Sequence, residues 1–218
     1  MENFWSRYKR NHAAVFGLFV VALIIVMAIT ASFLYPEDPF RLVGKPLSKP
    51  LTNGFLLGSD SLGRDVASGI VHGAKTSLLI GFVATLVSVF IGIFFGAFAG
   101  YFGGLIDDIL MRVTEIFQTI PSFIFAILLV AIMKPSMSSI VIAIAVVSWP
   151  GVARLVRGEF LAVKNREFVQ ACHTLGMSDL RIMLWEILPN CLSPIIVVGS
   201  LMVATAILIE SGLAFLGL

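Results

Sequence analysis

The stretch that decides the fold runs from residue 76 to residue 106 and reads TSLLIGFVATLVSVFIGIFFGAFAGYFGGLI. It contains no charged residue, and it is longer than the roughly 20 residues that an α-helix needs to cross about 30 Å of hydrocarbon. A helix also pairs its own backbone groups, which a chain in lipid must do. We therefore predict a transmembrane helix over 76–101, ending near the glycine-rich turn that follows.

Similar uncharged runs recur along the chain, and they predict an all-α integral membrane protein with five transmembrane helices. The predicted spans are 13–35, 76–101, 113–133, 135–153 and 190–211. The first is 23 residues long and exceeds a signal-peptide core of about 7–15 residues, so we expect it to be retained. Asp107, Asp108 and Arg112 are expected to form a short polar connection before the third span.

The composition excludes several classes of protein. Apolar residues make up 58% of the chain and charged residues 13%. A soluble domain carries about 45–50% apolar and about 25% charged residues. An ordinary soluble enzyme and a disordered chain are both excluded. A net charge of +2, interrupted by apolar runs, is too small for a nucleic-acid interface. Two cysteines on the predicted cytoplasmic side make a disulfide framework improbable.

The distribution of cations predicts a cytoplasmic N-terminus, residues 1–12. With that orientation, nine Lys and Arg residues lie on the cytoplasmic side and six outside. The positive-inside rule favours such an excess of cations in the cytoplasm. Five spans then place the C-terminus outside, directly after an apolar end. We therefore expect the chain to be cut short.

Two segments are long enough to act outside the bilayer. The outer loop, 36–75, is rich in proline and is predicted to be extended at first. Asp60 or Ser61 is then expected to cap a short helix along the outer membrane interface. The inner loop, 154–189, is the most polar stretch, and its pattern predicts two short helices hinged at Gly176, the second ending before Pro189. It could be a solvated connector or a docking element.

Glycine and proline mark the expected contacts between spans. Gly92, Gly96 and Gly100 recur every fourth residue and predict a face for close helix packing. Packing within the chain is favoured over packing against a partner. Pro121 and Pro150 should kink the third and fourth spans, and these kinks either shape a cavity or are simply tolerated.

The charged and histidine residues indicate no catalytic or metal site. Glu115 lies three residues after Arg112, which predicts a surface ion pair. Glu210 and Lys134 are expected to be solvated near the outer ends of their spans. The three histidines have no ligand spacing, so no metal site is predicted. Residues 69–76 depart from a phosphate-binding loop at Ala74, so no nucleotide site is predicted either.

The inner loop resembles the cytoplasmic "EAA" loop of importer-type ABC transporter permeases. Gln170-Ala171-Cys172 occupies the Glu-Ala-Ala trio, Gly176 follows at the family spacing, and Leu188-Pro189 closes the segment. Gln170 replaces the acidic residue, so no carboxylate can act at that position, and Cys172 replaces an alanine. Glu186 also stands where the family has isoleucine.

The rest of the chain is similar to the dipeptide, oligopeptide and nickel permease subfamily. The similar segments are Leu56–Asp65, Ser148–Glu159, Ile120–Ser122 and Glu210–Gly217, so the resemblance covers nearly the whole chain. Members have six spans, so the resemblance implies that the last one is absent here, whether the chain is a fragment or a real truncation.

The resemblance implies a permease subunit of an ATP-driven importer of peptides or nickel in the bacterial inner membrane. Residues 166–189 would couple this subunit to cytoplasmic ATPases, and the residues implied in that coupling are Glu167, Gln170, Ala171, Cys172, Gly176, Asp179, Leu188 and Pro189. This chain would bind no cofactor, since ATP and Mg would be bound by the partners.

The resemblance also implies the other members of the complex. They are a second homologous permease, two ATPase subunits and a periplasmic or extracellular solute-binding protein, with membrane lipid around the assembly and no nucleic acid. Two alternatives remain. A secondary transporter would need inverted halves with broken helices and buried ionisable residues at the midplane. A non-transporting scaffold or truncated inactive permease is allowed by the polar inner loop and the missing sixth span.

Overall fold

The computed structural model describes residues 8–52 and 54–218, so the first seven residues of the predicted cytoplasmic N-terminus lie outside the described residues. The described chain forms the helices α1 (His12–Leu34), α2 (Val66–Phe102), α3 (Gly104–Gln118), α4 (Ser122–Met133), α5 (Met137–Val163), α6 (Glu167–Thr174) and α7 (Asp179–Phe215). A π-helical stretch, Ile182–Ile187, lies near the start of α7.

Four helices within the described residues, namely α1, α2, α5 and α7, are long and apolar enough to cross a membrane. The α3–α4 pair is bent by 81° and makes a fifth span if it is counted as one. The protein is therefore an all-α membrane protein, as the apolar runs predict.

Some predicted boundaries are wrong because the prediction ends a span at a charged residue. The predicted interfacial helix does not stand alone, because α2 begins at Val66 and continues without a break. Likewise α5 continues to Val163, so the first ten residues of the predicted inner loop are helical. The second short helix of that loop continues through Pro189 as α7. A charge ends an apolar run, whereas a helix ends at a backbone breaker.

The predicted third span, 113–133, is not one helix. The helix α3 already begins at Gly104 and contains the acidic residues expected in a connection. It ends at Gln118, and α4 starts only after Pro121. Proline has no N–H to donate and disfavours a helical residue before it, so the break falls at this position. In contrast, Pro150 lies inside α5, which remains one helix from Met137 to Val163.

Contacts divide the chain into two units, one ending at Leu79 and the other beginning at Ile80. In the first, the described residues of the loop between α1 and α2 fold around a few buried groups. The ring of Phe55 is buried, and the Ser59 hydroxyl donates to the Lys45 carbonyl and accepts from the Ser48 N–H. At the end of the loop, the Asp65 carboxylate accepts from the N–H of Ala67 in the first turn of α2.

The second unit contains two clusters of buried apolar residues. One joins α2 and α5 to α6 and the start of α7, and its largest side chains include Phe160, Ile182 and Met183. The other joins α4 to the remaining parts of α2, α5 and α7. Glu210 is buried here, at 7% exposure, rather than snorkelling or solvated as predicted, because its face of α7 also carries Ala206 and Leu213, which pack into this cluster.

The glycine face of α2 packs against α5. A Cβ added at Gly92 would lie 2.6 Å from Val152 Cγ1, and one added at Gly100 would lie 2.6 Å from Phe160 Cβ. At Gly96 the added carbon would overlap the carbonyl oxygen of Ala153. The three glycines therefore allow the two backbones to approach closely within this chain.

Candidate functional site

The candidate site is the segment 164–189, which follows α5 and which we call the knob. Four residues after α5 ends at Val163, Glu167 begins the short helix α6 and places a carboxylate in its first turn. All of α6 is described, and Val169 is its one buried residue. Val169 packs into the same cluster as Phe160 and Met183. One apolar side chain thus anchors α6 to the membrane helices.

Gly176 makes the turn that ends α6. Its φ of 74° lies in the left-handed region that favours glycine. The N–H of Met177 donates to the Cys172 carbonyl at 3.1 Å, and the N–H of Gly176 donates to the His173 carbonyl at 3.0 Å. These two bonds form a Schellman motif, which redirects the chain into α7.

Tyr101, at the end of α2, links both helices of the knob. Its hydroxyl donates to Asp179 Oδ1 at 2.7 Å, which holds the first turn of α7. Its ring stacks on His173 of α6, with the centroids 6.3 Å apart. The ammonium of Lys164 donates to the Tyr101 carbonyl at 3.4 Å. The knob is therefore tied by polar bonds as well as by Val169.

The predicted coupling residues are divided between two surfaces. Glu167, Gln170 and Ala171 are exposed on α6, and Pro189 is exposed in α7. Cys172 and Leu188, in contrast, are half-buried against the apolar cluster that holds Val169. The structure therefore places Cys172 on the side of α6 that faces its own core, whereas Gln170 and Ala171 face away from it.

The outward face of α6 has a small residue at its centre and apolar residues along one edge. Ala171 lies at this centre, with Glu167 one turn before it. Phe168 and Leu175, seven residues apart, lie together at one edge and are both exposed, Leu175 at 79%. Water solvates such apolar side chains poorly, so this face is a candidate contact surface.

A charged cavity of about 380 Å³ lies between α3 and α5, lined in part by Asp107, Arg112, Glu115 and Arg157. The Arg157 guanidinium donates to both carboxylate oxygens of Asp107 at 2.5 Å. Within α3, Arg112 and Glu115 form the predicted surface ion pair, with the nitrogen and oxygen 3.0 Å apart.

Two contacts of this region are absent from the sequence-based predictions. Tyr101 stands at the end of an apolar run, and its hydroxyl is the one signal that it needs a polar partner. The partner of Asp107 lies 50 residues away in the chain, so no local pattern identifies the pair. In the described residues no group of three or more His, Cys, Asp or Glu could hold a metal ion.

Comparison with known proteins agrees with this architecture. Residues 92–218 match the family described as the binding-protein-dependent transport system inner membrane component. Residues 1–49 match the N-terminal TM domain of oligopeptide transport permease C.

Individual relatives match the whole chain. The dipeptide transport system permease protein of Bacillus subtilis is 40% identical, and the chain covers 68% of its length. The corresponding dipeptide permease of Escherichia coli K12 is 41% identical, with 75% of its length covered. The glutathione transport system permease protein of Shigella flexneri is 39% identical, with 72% covered. The chain therefore belongs to the family of inner-membrane permease components of binding-protein-dependent ABC transport systems.

Proposed function

We propose that this permease forms one half of the membrane pathway of an ATP-driven importer of short peptides, and that the knob docks on a cytoplasmic ATPase subunit. The outward face of α6 is the observation that carries the docking. Peptides are proposed as the substrate because the relatives are named for dipeptide, glutathione and oligopeptide transport. A second homologous permease and a solute-binding protein complete the proposed complex, in which two ATPase subunits bind ATP and Mg.

The structure of the knob supports a mechanical role. Val169, Tyr101 and the Schellman turn hold α6 against α2, α5 and α7. When the ATPases close on ATP, a knob held in this way moves with the helices it contacts. Rigid-body movement of this kind changes which side of a membrane pathway is open. The permease itself is proposed to hydrolyse nothing.

The docking is tested by two substitutions to arginine in the full-length permease with its partners. Ala171→Arg places a long cation at the centre of the outward face without removing any buried group. Asn190→Arg is the control, since Asn190 is exposed in α7 and makes one local bond to the Glu186 carbonyl. We expect ATPase subunits to copurify with wild type and with the control, and to fall at least about tenfold with Ala171→Arg.

Peptide uptake is measured in the same membranes. Uptake should require ATP in wild type and should be lost in Ala171→Arg. If uptake persists after ATP depletion and follows an ion gradient, the permease is a secondary transporter and the proposal is wrong. If ATPases copurify equally with both variants, α6 is not the docking surface.

A further inference from the structure

The start of α3 is held to α5 by one partly buried ion pair. Arg157 donates through Nε and Nη2 to the two oxygens of Asp107, and their side chains are 35% and 13% exposed. A bidentate guanidinium–carboxylate pair fixes both distance and orientation. It is therefore a stiffer link than a single hydrogen bond.

The other connections at this end of α3 are weak. The chain joins α2 to α3 through Gly103 and Gly104, which both have positive φ, at 67° and 52°. Leu105, Ile106 and Ile109, the first large apolar side chains of α3, are exposed. The buried Thr114 and the contact between Phe117 and Trp149 come only later in the helix. Asp107 is thus the anchor for the first turn of α3.

Arg157 belongs to the part of the molecule that carries the knob. Gly100 of α2 packs on its backbone, since an added Cβ would lie 2.8 Å from the Arg157 carbonyl oxygen. The next turns of α5 bury Phe160 and Val163, and α6 begins at Glu167. A displacement of the knob therefore carries Arg157 with it.

At its other end α3 leads into the bent pair. The helix stops at Gln118, and α4 leaves at 81° after Pro121. A broken membrane helix can change its angle at the break without losing many backbone bonds, because those bonds are already absent there. The α3–α4 pair is accordingly the segment of the described chain that can respond to a pull at Asp107.

We propose that the Asp107–Arg157 pair transmits movement of the knob to the bent α3–α4 pair, and so couples ATP hydrolysis to opening of the pathway. This inference rests on the proposed function, because it needs an ATPase that moves the knob. Asp107 and Arg157 are positioning residues in this scheme, since neither needs to touch the peptide or the ATPase.

A second ion pair on the same helix gives a matched control. Arg112 and Glu115 are one turn apart within α3, and their side chains are 82% and 49% exposed. Exposed pairs of this kind contribute little, whereas removal of one partner from a buried pair leaves an uncompensated charge. Arg112→Gln therefore removes an ion pair from α3 without breaking its link to α5.

The experiment compares wild type, Asp107→Asn, Arg112→Gln and the reversed pair Asp107→Arg with Arg157→Asp. Each full-length permease is assembled with its partners in proteoliposomes, and the peptide molecules imported per ATP hydrolysed are measured. In Asp107→Asn we expect ATPase subunits to copurify normally and the transport ratio to fall at least about tenfold. The reversed pair should recover most of the ratio, and Arg112→Gln should stay within about twofold of wild type.

Two results overturn the inference while leaving the proposed function intact. In the first, wild type couples transport to ATP and Asp107→Asn has an unchanged transport ratio. In the second, Asp107→Asn and the reversed pair both lower the amount of folded permease, which makes the pair structural. If wild type itself shows no ATP-dependent uptake, the proposed function fails and the coupling role fails with it.

Discussion

Asp60 shows how a single carboxylate organises the chain around it in the loop between α1 and α2. Its Oδ1 accepts from the N–H groups of Leu62 and Arg64, both at 2.8 Å. The N–H of Arg64, followed by the smaller contribution of the Leu62 N–H and the nearby Arg64 charge, holds the pKa of Asp60 below its ordinary value. Hydrogen bonds that favour the charged form lower a carboxyl pKa in this way.

The lowered pKa of Asp60 predicts an acid-sensitive loop. A carboxyl whose pKa falls on folding contributes stability that is complete above its unfolded pKa and is lost as the pH falls through the folded pKa. The amides of Leu62 and Arg64 should therefore stay protected from hydrogen exchange at pH 5 and lose protection well below pH 3.8, after correction for intrinsic exchange. In Asp60→Asn the acid transition should disappear. An acid transition of the same size in that variant would assign the effect to another group.

At the scale of elements, the close contact between α2 and α5 depends on glycines in α2, which have no side chain. A Cβ at Gly96 would lie 2.7 Å from Val156 Cβ and 3.0 Å from the Arg157 nitrogen, and it would overlap a carbonyl oxygen. A backbone atom cannot rotate away, so the two helices must separate. The same helix, α2, contains Gly73, where an added Cβ would have no other atom within 4 Å.

Gly96→Ala and Gly73→Ala should consequently have opposite effects. Gly96→Ala should destabilise the permease by about 1–3 kcal/mol through overpacking. Gly73→Ala should be neutral or stabilise it by up to about 1 kcal/mol, because alanine is the better helix former. Thermal denaturation of the two purified variants, compared with wild type, measures the difference. Equal midpoints for both variants would mean that α2 and α5 are not in close contact in the membrane.

The elements also show which features could be predicted from sequence. Lipid requires long apolar helices, so the interiors of α1, α2, α5 and α7 are visible as uncharged runs. The ends of these helices cannot be located from the apolar runs, because Lys75 and Arg154 interrupt the hydrophobic sequence but not the helical backbone bonds. The break before α4 falls inside a predicted span. Pro121 predicts a kink there, but a proline alone does not predict a complete break, since Pro150 lies inside the continuous helix α5.

The candidate site was predictable only where the pattern is local. The position of α6 and the turn at Gly176 follow from spacing within the knob. The anchors of the knob do not, because Val169 has the same sequence character as many exposed valines, and Tyr101 contacts Asp179 across 78 residues. Contacts between distant segments depend on how the helices pack, which a single sequence does not specify.

At the scale of the whole molecule, the charges predict which side of the membrane each polar segment occupies. Nine of the 15 Lys and Arg residues lie on the predicted cytoplasmic side, three of them in the short N-terminus, whereas the loop 36–65 mixes four cations with acids. Short cationic segments stay in the cytoplasm. We therefore expect Lys9 and α6 to lie in the cytoplasm and Ser61 outside.

Cysteine labelling tests this topology, because the chain has only two cysteines, Cys172 and the buried Cys191. In a Cys172→Ala background, Lys9→Cys, Ser61→Cys and Gln170→Cys each place one thiol at an exposed position. A membrane-impermeant maleimide added to spheroplasts should label Ser61→Cys at once and the other two only after the membrane is opened. Labelling of Lys9→Cys in intact spheroplasts would place the N-terminus outside, contrary to the distribution of cations. Labelling of Gln170→Cys in the same cells would place α6 outside, where no ATPase could bind it.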